Sequence, residues 1–186
     1  MNLRELKKKV LVLIEEYAPD TATKKLTSDE DIDAKMNDVI NQIMNEICRF
    51  KKLPKYVEVK VTEGDLLDFA RLEKECGYEV YQIAVVSGVR TSARANGSIY
   101  KVLESGTAEV DLYVYPERIT DKTSDSYEFE LTTDVLEIMP YGIAADLLST
   151  DISSNYSTFR ERYEGMLSRL DSRNNLLSIS VEGGIL

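Results

Sequence analysis

The chain has 186 residues, 43% of them hydrophobic, and carries 23 Lys and Arg against 33 Asp and Glu, a formal net charge of -10. That length suits one domain, or one domain with a sizeable insertion, and allows a respectable core. The charge argues against a protein that grips DNA through its phosphates, which needs clustered cations, and the absence of histidine excludes histidine-based triads and imidazole zinc sites.

In chain order, a first helix is predicted over about 2–17, with Leu3, Leu6, Val10, Leu13 and Tyr17 on one face, Asn2 and Glu5 as a capping pair, and Pro19 as its stop. The basic stretch before VLVLI is followed by Glu15 and Glu16 and has no small-residue cleavage site. It therefore reads as a helix rather than a signal peptide, and synthesis in the cytoplasm is expected. Thr27 and Glu30 have capping-box spacing ahead of a second helix over 28–52, whose face is Ile32, Met36, Val39, Ile40, Ile43, Met44, Ile47 and Phe50, ended by Pro54.

The hydrophobic period then changes from 3.6 to 2. Val57, Val59 and Val61 alternate with polar residues as a half-buried strand, and Tyr78 to Val86 reads as another. Residues 64–77 allow either an extended connection or one short helix. Asn96–Gly97 has the composition of a hairpin turn, and Glu109 to Tyr115 alternates again before Pro116. The longest uncharged apolar run, Val80 to Val89, is far too short to span a bilayer, so no membrane association is expected. Cys48 and Cys76 have no CxxC spacing and are expected as two reduced thiols.

The stretch from Tyr127 to Leu170 reads as a helical hairpin. Asp134 and Glu137 are spaced as a capping box for a helix over 133–150, with Leu136, Met139, Ile143, Ala144, Leu147 and Leu148 on its buried face. Pro140 sits deep for a first-turn residue, which implies a kink or a late helix start. Asp151 to Asn155 supplies turn chemistry, and Tyr156, Phe159, Tyr163, Met166 and Leu170 form the stripe of a last helix over 154–172. The fold class is thus α+β: a four-helix platform (1–54 and 117–172) with an antiparallel β-rich insertion (55–116) between helices two and three, and an extended C-terminal tail (173–186).

In that tail Leu176, Leu177, Ile179, Val181, Ile185 and Leu186 are the candidate partner-binding residues, because apolar residues alternate with serines as in a strand with one face to bury. It either folds back on its own bundle or docks on a partner by adding a strand to an exposed sheet edge; docking is the expectation. Chemistry is harder to find. There is no GxGxxG or P-loop. Asp29, Asp31 and Asp33 imitate half a calcium loop, but Ala34 and Ile40 stand where its turn glycine and closing carboxylate belong. Glu73/Glu75 and Glu128/Glu130 have the look of carboxylate pairs, more simply explained by alternation along a strand or loop. No catalytic residue, metal or cofactor is expected.

Taken together, Asp68-Phe69, Val114-Tyr115-Pro116, Tyr127-Glu128-Phe129-Glu130, Met139 to Leu148 (MPYGIAADLL), Asp151 and the Phe159–Tyr163–Leu167 arm resemble the head-to-tail connector (adaptor) proteins of tailed bacteriophages. Leu66-Leu67 replaces the proline-bearing approach to the Asp-Phe element in such proteins. The resemblance implies a structural protein of the virion neck, assembled in the host bacterial cytoplasm. It implies a ring of copies, typically a dodecamer, beneath the portal protein, extending the DNA channel and meeting a stopper or tail-completion protein. Genomic DNA would pass without specific binding. A closed ring makes each subunit use two different patches, one toward each neighbour. Other readings are a tail-completion or stopper protein, a ligand-binding regulatory module with a concave apolar pocket, or an enzyme with an unconventional site.

Overall fold

The first N–H groups of a helix lack intrahelical partners, and at α1 (Leu3–Leu13) each of them finds one. The Asn2 N–H donates to the Glu5 carboxylate and the Glu5 N–H to the Asn2 side chain, a complete capping box. The Leu3 and Arg4 N–H groups donate to the carbonyls of Tyr127 and Asp125 at 2.9 and 3.0 Å. The Tyr127–Glu130 segment is thereby tied to the start of the chain, with an isolated bridge between Asn2 and Glu128. Phe129 is buried, and the rings of Tyr127 and Phe129 meet edge to face at 5.3 Å.

The structure, a computed structural model, describes residues 1–20, 22–23, 25–149 and 156–176. It is mixed α and β. The other helices are α2 (Glu30–Phe50), α3 (Phe69–Cys76), α4 (Thr133–Leu148) and α5 (Tyr156–Leu176). The strands are β1 (Leu53–Val61), β2 (Leu66–Asp68), β3 (Val80–Ser87), β4 (Thr91–Arg94), β5 (Ile99–Val102) and β6 (Gly106–Val114). Contacts divide the chain into a helical unit, Met1–Lys51 with Ile119–Leu186, and a β unit, Lys52–Arg118.

In the helical unit, α4 packs against α1, α2 and α5. It is buried on almost every side, with Val135, Ile138, Pro140 and Ala145 inside as well as the expected Leu136, Met139, Ile143, Ala144 and Leu147. A helix apolar all round belongs at the centre of its unit. It runs from Thr133 straight through Pro140, so a late start is not the solution the chain adopts. Its cap position is Thr132 rather than Asp134, and Asp134 instead accepts from Lys51 Nζ at 3.2 Å. The second helix also departs from its expected cap. Asp29 caps α2 through the N–H groups of Asp31 and Ile32, while the Thr27 hydroxyl, two residues earlier, accepts from the Asp29 N–H.

One helix end and one helix face differ from expectation as well. α1 stops at Leu13, not Tyr17, because Glu15 turns left-handed (φ 63°) and Glu16 N–H closes on the Leu11 carbonyl. On α5 the buried residues are Tyr163, Leu167 and Leu170, whereas Tyr156 is 44% exposed and Phe159 and Met166 are half-buried. The chain re-enters this unit through a buried clamp. Asn41 on α2 donates to the Ile119 carbonyl and accepts from the Ile119 N–H, both at 2.8 Å.

The β unit holds two three-stranded antiparallel sheets, ordered β1-β6-β3 and β2-β5-β4, over one shared core that includes Val59, Leu67, Leu72, Val102, Val110 and Leu112. Pro54 lies inside β1 instead of merely ending the preceding helix. It is tolerated because β1 is an edge strand. Residues 64–77 resolve into β2 and the short helix α3, a fifth helix beyond the four expected. Asp68 caps α3 through Arg71 N–H, and the Arg71 guanidinium returns to Asp65 (3.0 Å) and the Lys60 carbonyl (2.9 Å). Asn96 and Gly97 take positive φ in the connection between β4 and β5, as their hairpin role requires. Glu73 and Glu75 lie on α3, not on a strand or loop, two positions apart and so not facing each other.

Candidate functional site

Of the tail residues, Leu176 ends α5, while Leu177, Ile179, Val181, Ile185 and Leu186 lie outside the described residues, as does Asp151. The described residues gather polar and aromatic groups in three other places.

The first is the joint between α2, α4 and α5. Arg160 Nε reaches Glu164 at 2.8 Å, and its two terminal nitrogens approach Glu46 and Asp146 at 3.6 and 3.7 Å. Gln42 also donates to Asp146 at 3.1 Å. Burial pushes the Asp146 carboxyl above the ordinary carboxylate range, and Arg160 opposes that shift. Beside it the fully buried Tyr163 makes no well-formed hydrogen bond with its hydroxyl. Burial first, then the Glu46 carboxylate, holds that phenol strongly on its neutral side. The ring of Tyr163 fills the space above Gly142. The joint is a device for holding three helices.

The second is a cavity of about 380 Å³ between α1, α4 and α5. Leu13, Pro140, Tyr141 and Met166 form its apolar lining, and Lys9, Arg162 and Glu137 its polar groups. The Arg162 guanidinium lies 4.3 Å over the Tyr141 ring, a stacking that keeps a planar cation at an apolar wall. A smaller hollow of about 170 Å³ beside α1 and α2 has Lys7, Lys25, Asp33 and Asp125 around it. Burial lowers the Lys7 ammonium pKa there, against the pull of Asp125, Asp33 and Asp121.

The third is the outward face of the β1-β6-β3 sheet. Glu58 stands directly opposite Glu109, and Asp111 is opposite Tyr56 on one side and Val85 on the other. Like charges facing across strands are unfavourable. Tyr56 donates to Glu58 at 3.0 Å. Its phenol pKa is raised by lost solvation, by that hydrogen bond, and by Glu109, Glu58 and Asp111. Tyr56 and Val85 are 54% and 51% exposed. Nearby the Tyr81 ring lies 4.8 Å from Tyr115 and 6.4 Å from Tyr113, and Lys52 Nζ sits 4.3 Å over Tyr113. The face combines negative charge with aromatic surface.

Four side chains that could carry chemistry elsewhere have structural surroundings. Cys48 is buried, and burial pushes its thiol up to about 11, away from thiolate chemistry at neutral pH. Asp29 is a cap and Asp33 pairs with Lys25 at 3.4 Å. Glu73 accepts from Val80 N–H at 3.1 Å. Among the described residues no three His, Cys, Asp or Glu side chains converge to hold a metal ion, and no helix is long and apolar enough to cross a membrane.

Arg162, Tyr141, Arg160 and Asp146 were not singled out by sequence reasoning, though a signal for them exists. The pairs Tyr141/Arg162, Gly142/Tyr163 and Asp146/Arg160 are all nearly symmetric about the stretch 151–155 in the sequence. Packing of α4 against α5 in opposite directions brings them together. No protein family profile and no curated protein sequence matches this chain.

Proposed function

We propose that the chain is a structural connector of the phage neck, an adaptor that joins other copies in a ring under the portal, extends the DNA channel and meets the next neck or tail component. In this reading α1, α2, α4 and α5 form the platform of the ring subunit, and the β unit is its insertion. It acts by binding geometry and does no catalysis.

The observation that carries the reading is the use made of the resembling segments. Asp68 caps α3, the Tyr115 N–H closes on the Glu79 carbonyl after β6, Tyr127–Glu130 binds the start of α1, and Met139–Leu148 is the buried centre of the helical unit. Each is a joint of the framework. The net charge of -10 and the Glu58/Glu109/Asp111 face also suit a wall past which DNA slides without sticking.

The test is to mix the purified chain with its cognate portal ring and follow both by size-exclusion chromatography and negative-stain microscopy. Comigration as one ring-shaped complex is expected. Failure to bind at any salt concentration, alongside turnover of a defined substrate, overturns the proposal. Binding only to a portal already carrying another adaptor would move the chain to the stopper position.

A further inference from the structure

We infer that the outward face of the β1-β6-β3 sheet docks on the outward face of the β2-β5-β4 sheet of a second copy of this chain. The contact is head to tail and repeats from copy to copy. It deepens the connector reading, and rests on it for the ring, by naming the two patches through which ring neighbours meet. On the first face Tyr56, Glu58 and Lys60 of β1 lie beside Asp111, Glu109 and Thr107 of β6, and Val85 and Ser87 of β3 lie on the far side of β6. Lys60 at one end leaves the patch acidic, and none of its three carboxylates has an ion-pair partner among the described residues. On the second face, turned away from Leu67 and Val102 of the core, are Leu66 of β2, Ile99 and Lys101 of β5, and Ser92 and Arg94 of β4. Leu66 is 47% exposed, Ser92 and Arg94 are exposed, and Ile99 and Lys101 are half-buried. Asp68, the acid on this face, is engaged as the cap of α3. Arg94 and Lys101 have no ion-pair partner among the described residues.

Charge complementarity within one chain chooses the occupant. Each face sets exposed apolar side chains among charges of a single prevailing sign, as surfaces that meet other proteins do, and the two signs are opposite. The spacing matches as well. Glu58 is opposite Glu109, with Asp111 two residues further along β6, so Glu58 and Asp111 are diagonal neighbours about 7–8 Å apart. Lys101 is opposite Ser92, with Arg94 two residues further along β4, which is the same diagonal. Laid face to face, the diagonals superpose and give Glu58 and Asp111 one cation each. In one of the two orientations that achieve this, Tyr56 lies against Ile99 and Glu109 against the Ser92 hydroxyl. Acid on acid repels, as does base on base, so the copies meet in one direction only, which builds a ring or an open filament rather than a closed pair. Of the two uses the acidic face suits, joint or wall, the matching cations decide for the joint. A channel wall is then left to the rest of the chain's negative charge.

The test uses the full chain without portal, followed by sedimentation velocity over a wide concentration range at low salt. Wild type should associate beyond the dimer as concentration rises and dissociate as salt screens the contact. Glu58→Lys with Asp111→Lys, and separately Arg94→Glu with Lys101→Glu, should each weaken self-association by on the order of a hundredfold or more, because like charges then face each other. An equimolar mixture of the two variants should recover it, since each acidic face now finds a basic one on the other variant. A wild type that stays monomeric or stops at a dimer, variants that associate like wild type, or a mixture that stays dissociated overturns the inference. Should a double variant melt early, the single variants Asp111→Lys and Arg94→Glu, both at exposed positions, decide in its place. A chain that joins the portal yet gives one of these overturning results keeps the connector reading and loses this contact.

Discussion

Gly142 lies where an added Cβ would meet Tyr163 Cε2 at 2.8 Å, Tyr163 Cδ2 at 2.9 Å and Ile43 Cδ1 at 3.0 Å. The Tyr163 ring is fully buried and has little room to yield. Alanine is the better helix former by about 1 kcal/mol, yet Gly142→Ala should still destabilise the protein by about 1–2 kcal/mol because overpacking outweighs propensity here. Urea unfolding would show it as a lower midpoint at unchanged slope. Tyr163 divides into two expectations. Tyr163→Phe removes a hydroxyl that makes no well-formed hydrogen bond, so stability should hold or rise slightly. Tyr163→Ala removes the ring and should cost about 3–5 kcal/mol. Equal losses for both would mean the hydroxyl has a strong partner after all.

At the scale of elements, Asp134 connects the end of α2 to the start of α4. The Thr132 hydroxyl, with Lys51 at 3.2 Å adding to it, holds its carboxyl below the ordinary carboxylate range. A lowered acid pKa stabilises the fold above the unfolded value, near 3.8, and that stability disappears as pH falls through the folded value. Lys51→Ala should therefore cost well under about 1 kcal/mol at pH 7, the pair being partly exposed. It should also flatten the loss of stability below about pH 4, as read by thermal melts at stepped pH. How the sequence reveals such joints is uneven. The face of α2 and the strands β1 and β6 were legible because burial on one side imposes a period, whereas the stripe read for α4 caught only part of a helix buried on almost every side. The Asn2–Glu5 capping box was legible too, but the caps of α2 and α4 were not, since Thr27, Asp29, Thr132 and Asp134 all have capping side chains and tertiary partners choose among them. β4 was hidden because TSAR has no apolar alternation, and the early end of α1 depends on a left-handed Glu15 that no composition rule predicts. The cavity residues come from three helices and become neighbours only through hairpin register; the expected tail contacts fall outside the described residues.

For the whole molecule, the charge of -10 and the acidic sheet face lead to the expectation that the chain has no micromolar affinity for duplex DNA at physiological salt. Fluorescence anisotropy with labelled duplex would check it, and tight binding would contradict a DNA path through a ring of this protein. Deleting residues 175–186 should leave the melting temperature of the helical unit nearly unchanged while abolishing assembly on the portal; a truncated chain that unfolds would place the tail in the core. The two-bond clamp between Asn41 and Ile119 has a consequence for the order in which the molecule forms. It joins residues 78 apart in sequence, with the whole of Lys52–Arg118 between them, and closing such a loop is slow and entropically costly when the intervening chain is loose. The β unit is continuous and needs no residue outside its own span to complete its ladders. During synthesis it can collapse first and shorten the loop, so that the nascent chain reaches the clamp with its two ends already drawn in. Asn41→Ala, which strands both Ile119 backbone groups, should cost roughly 2 kcal/mol and delay the helical unit's acquisition of structure, while amide protection in the β strands rises on schedule.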